Sequence, residues 1–198
     1  MATNGHVSHW FAQVPDPRPA LPGDREADVC IVGAGYTGLW TAYYLKAADP
    51  ALRITVLEAR FAGFGASGRN GGWLSGLAPG SRDLLAKRHG RDSVITWQRI
   101  LNETVDEVID VTRREGIDAD IVKGGNLEVA RTPAQAQRLR AEFDEDRRWG
   151  VDDAVILSGS QAAERIRVDH LVLGSFNPHC ARIQPAKLAR GLADVVER

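Results

Sequence analysis

The stretch Asp28-Val29-Cys30-Ile31-Val32-Gly33-Ala34-Gly35-Tyr36-Thr37-Gly38-Leu39 decides the fold, and its meaning depends on Glu58 and on residues 63–73 further along the chain. Residues 28–32 form a short, β-branched apolar run of the kind buried in a parallel sheet. The run leads straight into a Gly-x-Gly-x-x-Gly turn. There Gly33 permits the tight turn out of the strand, Gly35 lets backbone approach a pyrophosphate, and Gly38 lets the next helix pack closely on the sheet. The pattern predicts a helix over 37–48, entered at Tyr36 and Thr37 and stopped by Asp49-Pro50. The unpaired amides and positive dipole at its N-terminus suit a diphosphate.

A second strand over 53–57 ends in Glu58, which lies 20 residues beyond Gly38. At that spacing an acidic side chain accepts hydrogen bonds from an adenosine ribose. Arg60 does not convert the site into a reader of a 2′-phosphate, because Glu58 would repel that group; NADP is disfavoured. The next segment, Gly63-Phe64-Gly65-Ala66-Ser67-Gly68-Arg69-Asn70-Gly71-Gly72-Trp73, stands where a nicotinamide dehydrogenase would place a crossover helix. Its glycines leave backbone free for close approach, with Ser67, Arg69 and Asn70 as donors. Such a loop suits the second phosphate and ribityl chain of FAD. For Arg69 and Asn70, hydrogen bonds that fix the loop and a contact to the flavin are both open readings.

Residues 28–39, Leu57-Glu58-Ala59 and Gly65-Ala66-Ser67-Gly68-Arg69-Asn70-Gly71-Gly72 resemble the N-terminal signatures of the D-amino-acid-oxidase-like FAD-dependent oxidoreductases. The aromatic lead-in His9-Trp10-Phe11 and the Ala-Ser-Gly-Arg-Asn-Gly-Gly loop are similar to the gamma-glutamylputrescine oxidoreductase-like branch. Gly124-Gly125-Asn126-Leu127 and residues 184–192 extend the likeness along the chain. The resemblance implies an α/β (α+β overall) fold: a Rossmann-like FAD-binding βαβ unit followed by the beginning of a mixed-sheet substrate domain. It implies oxidation of a C–N bond of an amine or amino acid by hydride transfer to flavin, with oxygen as acceptor. Gly33, Gly35, Tyr36, Thr37 and Gly38 would approach the pyrophosphate, and Glu58, flanked by Ala59 and Arg60, would hold the ribose. Ser67, Gly68, Arg69, Asn70, Gly71 and Gly72 would lie along the phosphate, ribityl chain and ring edge. FAD carries the hard chemistry, so no catalytic residue is assigned.

Composition narrows the function class. With 198 residues and 43% hydrophobic content the chain can bury a real core, and 25 basic against 26 acidic side chains give no field for nucleic acid or an anionic membrane. No stretch reads as a signal peptide or a membrane span, and two cysteines fit a reducing cytoplasm. His170 and His179 stand near strand ends without metal-ligand spacing, so no metal is expected.

Four regions are expected. Residues 1–26 form an extended arm with Trp10 and Phe11 packed on the body; 27–117 form the first part of the FAD domain, with a helical segment at 81–116. Residues 118–180 begin the substrate domain, and 181–198 form a helix returning to the FAD domain. Within the helical segment, Val94, Trp97, Leu101, Val105, Val108 and Thr112 trace one amphipathic stripe over 93–115, with Trp97 in the core. Asn126 to Ala130 alternates as a strand, and 171–176 reads as a strand antiparallel to it. Thr132-Pro133-Ala134-Gln135 opens a helix running to about Trp149, and Ser158-x-x-Gln161 opens a shorter one ending before Arg167. The last helix is predicted over 185–197.

The family pattern continues beyond residue 198. By that resemblance the first strand, which needs neighbours on both sides in a 3-2-1-4 sheet, receives only one from this chain. The expectation is a marginally stable product that binds FAD weakly. The alternative function is a truncated or split FAD-binding fragment without catalysis of its own, completed by a second chain.

Overall fold

The computed structural model describes residues 7–11 and 15–198. The predicted arm over 1–26 is therefore seen only at 7–11 and 15–26, where it carries no helix or strand; its remainder lies outside the described residues. The chain divides into two compact units. One comprises Met1–Gly72, Asp110–Ile121 and Ile183–Arg198, the other Trp73–Ile109 and Val122–Arg182.

In the first unit, strand β1 (Val29–Val32), helix α1 (Tyr36–Ala48) and strand β2 (Ile54–Leu57) form a parallel βαβ unit with Val29 opposite Ile54 and Val32 opposite Leu57. The predicted order is present, with boundaries within one residue. Gly33 N–H continues the ladder by donating to Leu57 O at 2.7 Å. Among the described residues β1 pairs with β2 alone, and Val32 at its end is 86% exposed. Helix α6 (Pro185–Glu197) has the bounds expected from sequence: Pro185 opens it and Gln184 caps it by accepting Lys187 N–H at 2.8 Å. It buries Leu188, Ala189, Leu192 and Ala193, and its stripe joins Leu39, Ala34 and Ala62 in one core cluster. A second cluster unites Phe11 and Phe61 with Ala186, which gives the aromatic lead-in its packing role.

The second unit holds two antiparallel sheets. β3 (Trp73–Ser75), β8 (Cys180–Arg182) and β4 (Val122–Lys123) form one, in the order β3-β8-β4. β5 (Asn126–Ala130), β7 (Leu173–Asn177) and β6 (Val155–Ser158) form the other, with Glu128 opposite Ser175. The β5–β7 pairing is the antiparallel one expected from sequence. Helix α4 (Pro133–Arg148) packs Ala136 and Leu139 against Ala130 and Leu173. Its capping box is complete, as is that of the short helix α5 (Gly159–Ala163).

Sequence and structure differ where signals are short or polar. β3, β4, β6 and β8 carry two to four residues each, too few for periodicity to register. The helical segment after the glycine loop is two helices, α2 (Arg82–His89) and α3 (Arg91–Glu115), separated at Gly90, whose φ is 83°. On α3 the residue taken into the core is Gln98, at 2% exposure, while Trp97 is half-buried. Gln98 is tolerated because its amide donates to Gly76 O at 2.8 Å and to Asn102 Oδ1 at 3.0 Å, while Arg82 donates to its Oε1 at 3.2 Å.

Candidate functional site

The candidate site belongs to the first unit and is built where β1 turns into α1. Gly33 adopts a φ of 103°, a left-handed conformation that a side chain would strain, and a methyl there would meet no atom within 4 Å. Gly38 acts differently: a methyl there would stand 2.1 Å from Gly33 O and 3.0 Å from Ile31 Cγ2. The close packing of α1 on the turn therefore requires glycine. The first bond within α1 runs from Leu39 N–H to Gly35 O at 3.0 Å, so the amides of Tyr36, Thr37 and Gly38 have no partner inside the helix. Gly35, the cap residue, supplies no side chain to them.

The second glycine loop reaches back to this helix end. Ser67, in a single 3₁₀ turn over Ala66–Gly68, accepts the Tyr36 N–H on its Oγ at 2.8 Å. Gly63 N–H donates to Ala34 O at 2.9 Å, and Ala34 N–H donates to Glu58 Oε2 at 2.9 Å. The first loop is thus tied to both the β2 terminus and the second loop. Glu58 is exposed, and its Oε1 accepts Arg60 N–H at 3.0 Å. A carboxylate offers about four acceptor positions, so two remain for hydroxyl donors.

Arg69 and Asn70 are engaged in the loop itself. Arg69 Nε donates to Phe64 O at 2.6 Å, with its guanidinium 4.5 Å from the Phe64 ring centroid. Asn70 donates to Ser67 O at 3.0 Å and accepts Gly72 N–H at 2.9 Å. Arg60 also lies over Phe64, at 5.8 Å. Thr37 and Ala59 are exposed, while Gly68 and Gly72 are buried. A methyl on Gly71 would meet nothing within 4 Å, so the loop keeps open space beside its backbone there.

Residues outside the motifs brace the loop. Trp10 Nε1 donates to Asn70 O at 2.6 Å, Ser8 Oγ donates to Gly68 O at 2.9 Å, and Gln184 Nε2 donates to Trp10 O at 2.8 Å. The aromatic lead-in was legible as packing, but no local pattern marks Ser8, Gln184 or the Ser67–Tyr36 bond, which joins residues 31 apart. Tyr36 donates its hydroxyl to Pro185 O at 2.8 Å, and burial pushes its phenol above the usual range. In the second unit His179 Nε2 lies 2.7 Å from Asp153 Oδ2, and His170 has a φ of 61°. Among the described residues no group of three or more His, Cys, Asp or Glu is placed to hold a metal. No helix there is long and apolar enough to cross a membrane.

The donor set suits a dinucleotide. The amides of Thr37 and Gly38 have no partner inside α1 and suit a diphosphate, Glu58 retains acceptors for a diol, and Gly33 and Gly71 leave room against bare backbone. The group therefore fits the residues present.

Residues 28–198 match the family model described as FAD dependent oxidoreductase (DAO). Gamma-glutamylputrescine oxidoreductase of Escherichia coli (strain K12) is 31% identical over 194 residues, covering 96% of this chain and 45% of the relative. Among solved structures, an L-amino acid deaminase from Proteus vulgaris, with its specific insertion deleted, aligns with a TM-score of 0.67 at 21% identity. That alignment covers 98% of this chain and 46% of the other. An L-alpha-glycerophosphate oxidase from Mycoplasma pneumoniae with FAD bound aligns with a TM-score of 0.65 at 19% identity, covering 88% and 43%. These structural likenesses speak to the fold alone. The chain spans under half the length of these proteins, and it belongs to the DAO family of FAD-dependent oxidoreductases, whose cofactor is FAD.

Proposed function

We propose that this chain supplies the dinucleotide-cradling part of an FAD-dependent enzyme that oxidises a C–N bond of an amine or amino acid, in the cytoplasm. The observation that carries the reading is the convergence of both glycine loops on the N-terminus of α1, through Tyr36 N–H to Ser67 Oγ and Gly63 N–H to Ala34 O. In this reading the amides of Gly35, Thr37 and Gly38 hold the diphosphate, while Tyr36, whose amide is taken by Ser67 Oγ, fixes the turn beside it. Glu58, with Ala59 and Arg60 beside it, holds the adenosine ribose. Residues Ser67, Gly68, Arg69, Asn70, Gly71 and Gly72 follow the second phosphate, the ribityl chain and the ring edge. Arg69 and Asn70 act chiefly by keeping that loop rigid, which lowers the ordering cost of binding.

FAD held by these residues would supply a hydride acceptor for oxidation of a C–N bond, with oxygen as the terminal acceptor. The relative named for gamma-glutamylputrescine, 31% identical, supports this choice of substrate class. Residues 27–117 are proposed as the first part of the FAD domain, with Trp73–Ile109 belonging to the second compact unit, 118–180 as the start of the substrate domain, and 181–198 as the helix that returns to the first. The packing of α6 with Leu39 and Ala34 supports that return.

Flavin titration followed by absorbance and fluorescence tests the cofactor site. Hydrogen peroxide release with putrescine derivatives and small amino acids tests the reaction. Saturable flavin binding with peroxide release from one substrate class is the expected result for the enzyme; absence of flavin binding by this chain and by a longer form refutes the site. A second reading is favoured by the 86% exposure of Val32 on a strand paired on one side. Under it, the chain holds FAD only after a further segment, from its own or a second chain, pairs along β1. Flavin binding that appears only with the longer form distinguishes it.

A further inference from the structure

In the first unit a cavity of about 740 Å³ is lined by Leu57, Glu58 and Arg60 and also by residues 17–21 of the N-terminal arm. That volume is ample for a nucleoside, since ligand pockets run to roughly 300–1,000 Å³. Two leucines of the lining, Leu21 and Leu57, are 42% and 37% exposed, one from the arm and one from β2. They leave apolar surface for a planar base beside the carboxylate that suits a ribose.

The arm is poorly secured apart from one side chain. Residues 16–25 are exposed and lie in no helix or strand. Among the described residues the only side chain of 15–25 with a hydrogen bond or ion pair is Arg18. Its Nη2 donates to Asp194 Oδ1 at 2.9 Å and to Glu197 Oε2 at 3.1 Å, and its Nε donates to Glu197 Oε1. Asp194 and Glu197 stand three residues apart on α6, so one planar guanidinium engages both carboxylates. Pro15, Pro17 and Pro19 restrict the intervening backbone to extended forms, so a single clamp sets the course of the whole segment.

We propose that residues 17–21 form a wall of the pocket for the adenosine end of the dinucleotide, with Arg18 as the positioning residue that holds this wall against α6. The inference rests on the reading of Glu58 as the ribose partner and adds to it the element that covers the base. Arg18 lines the same cavity, and its part is to hold the wall in place. It acts by pre-organising Leu21 and the proline backbone, which saves ordering cost on binding.

The test titrates the chain with FAD, read by flavin fluorescence, and with ADP, read by calorimetry, for the unmodified chain, Arg18→Lys, Arg18→Glu and the double variant Arg18→Glu/Glu197→Arg. Arg18→Glu is expected to weaken both ligands about tenfold, more than an exposed pair alone because the wall is lost with it. Arg18→Lys keeps most of the affinity, and the charge-swapped double variant recovers it. The thermal midpoint without ligand stays that of the unmodified chain, and ADP slows tryptic cleavage after Arg25. Unchanged affinity in Arg18→Glu overturns the wall while leaving the Glu58 reading intact. A weakened affinity accompanied by a lowered ligand-free midpoint, or not rescued by the charge swap, also overturns it, since Arg18 would then serve the fold. Where the unmodified chain binds neither ligand, the same variants are read in the longer form, and failure of that form to bind as well overturns both readings.

Discussion

Replacing Gly38 by Ala sets two physical effects against each other. Alanine in place of glycine inside a helix stabilises by about 1 kcal/mol on propensity alone. At this position the added methyl would stand 2.1 Å from Gly33 O and 3.0 Å from Ile31 Cγ2. The first neighbour is backbone and cannot rotate away, so α1 or the β1 turn must shift, and overpacking of this kind costs about 3 kcal/mol at the upper end of its usual range. The net expectation is a loss of about 2 kcal/mol, or about 4–8 °C in thermal midpoint for a chain of this size. Urea and thermal melts of Gly38→Ala, followed by circular dichroism and by tryptophan fluorescence, to which Trp40 on the same core contributes, measure it. Gly71→Ala is the control: its methyl meets nothing within 4 Å and its φ is not positive, so its stability stays within about 0.5 kcal/mol of the unmodified chain. A Gly38→Ala chain as stable as the unmodified one, or more so, would falsify the packing role given to this glycine.

Three further outcomes are expected. Ser67→Ala removes the acceptor of Tyr36 N–H and lowers stability by about 1 kcal/mol, as loss of a helix cap does; a melt indistinguishable from the unmodified chain would show that water replaces the hydroxyl at no cost. Gln98→Leu deletes bonds to Gly76 O and Asn102 Oδ1 inside the second unit and costs about 1–3 kcal/mol in urea unfolding, unless the apolar gain cancels it, in which case the network contributes no stability. Asp28 is held down to about 2 from 3.8 by its hydrogen bonds from Arg53, so its contribution is complete above pH 3.8 and is lost as pH falls through about 2. Asp28→Asn is therefore expected to flatten the acid limb of stability between those values, and an unaltered limb would count against the pair.

The parts of the fold legible in the sequence share a short-range physical cause. Strand β1, the glycine turn, α1 and β2 follow from a run of β-branched residues, a forced turn and a breaker at Asp49-Pro50. The capping boxes at Thr132–Gln135 and Ser158–Gln161 mark their helices because the bonds span three residues. The burial of Gln98 in place of Trp97 was not legible: helical spacing places both near the apolar stripe, and only the carbonyl of Gly76, distant in sequence, makes the amide the better occupant. Strands β3, β4 and β8 are short and find their register only from one another.

The sequence by itself determined the family, the βαβ unit and the candidate residues from Gly33 to Gly72, because glycine spacing and a carboxylate after the second strand are local demands of a dinucleotide cradle. Tertiary structure decided which of those residues meet. Ser67 caps α1, Arg69 and Asn70 turn inward to fix their own loop, and Glu58 grips Ala34 N–H, all through contacts whose partners no pattern along the chain announces. It also placed Arg18 on α6, 176 residues from Asp194, where complementary charge and not sequence proximity brings the arm to the pocket.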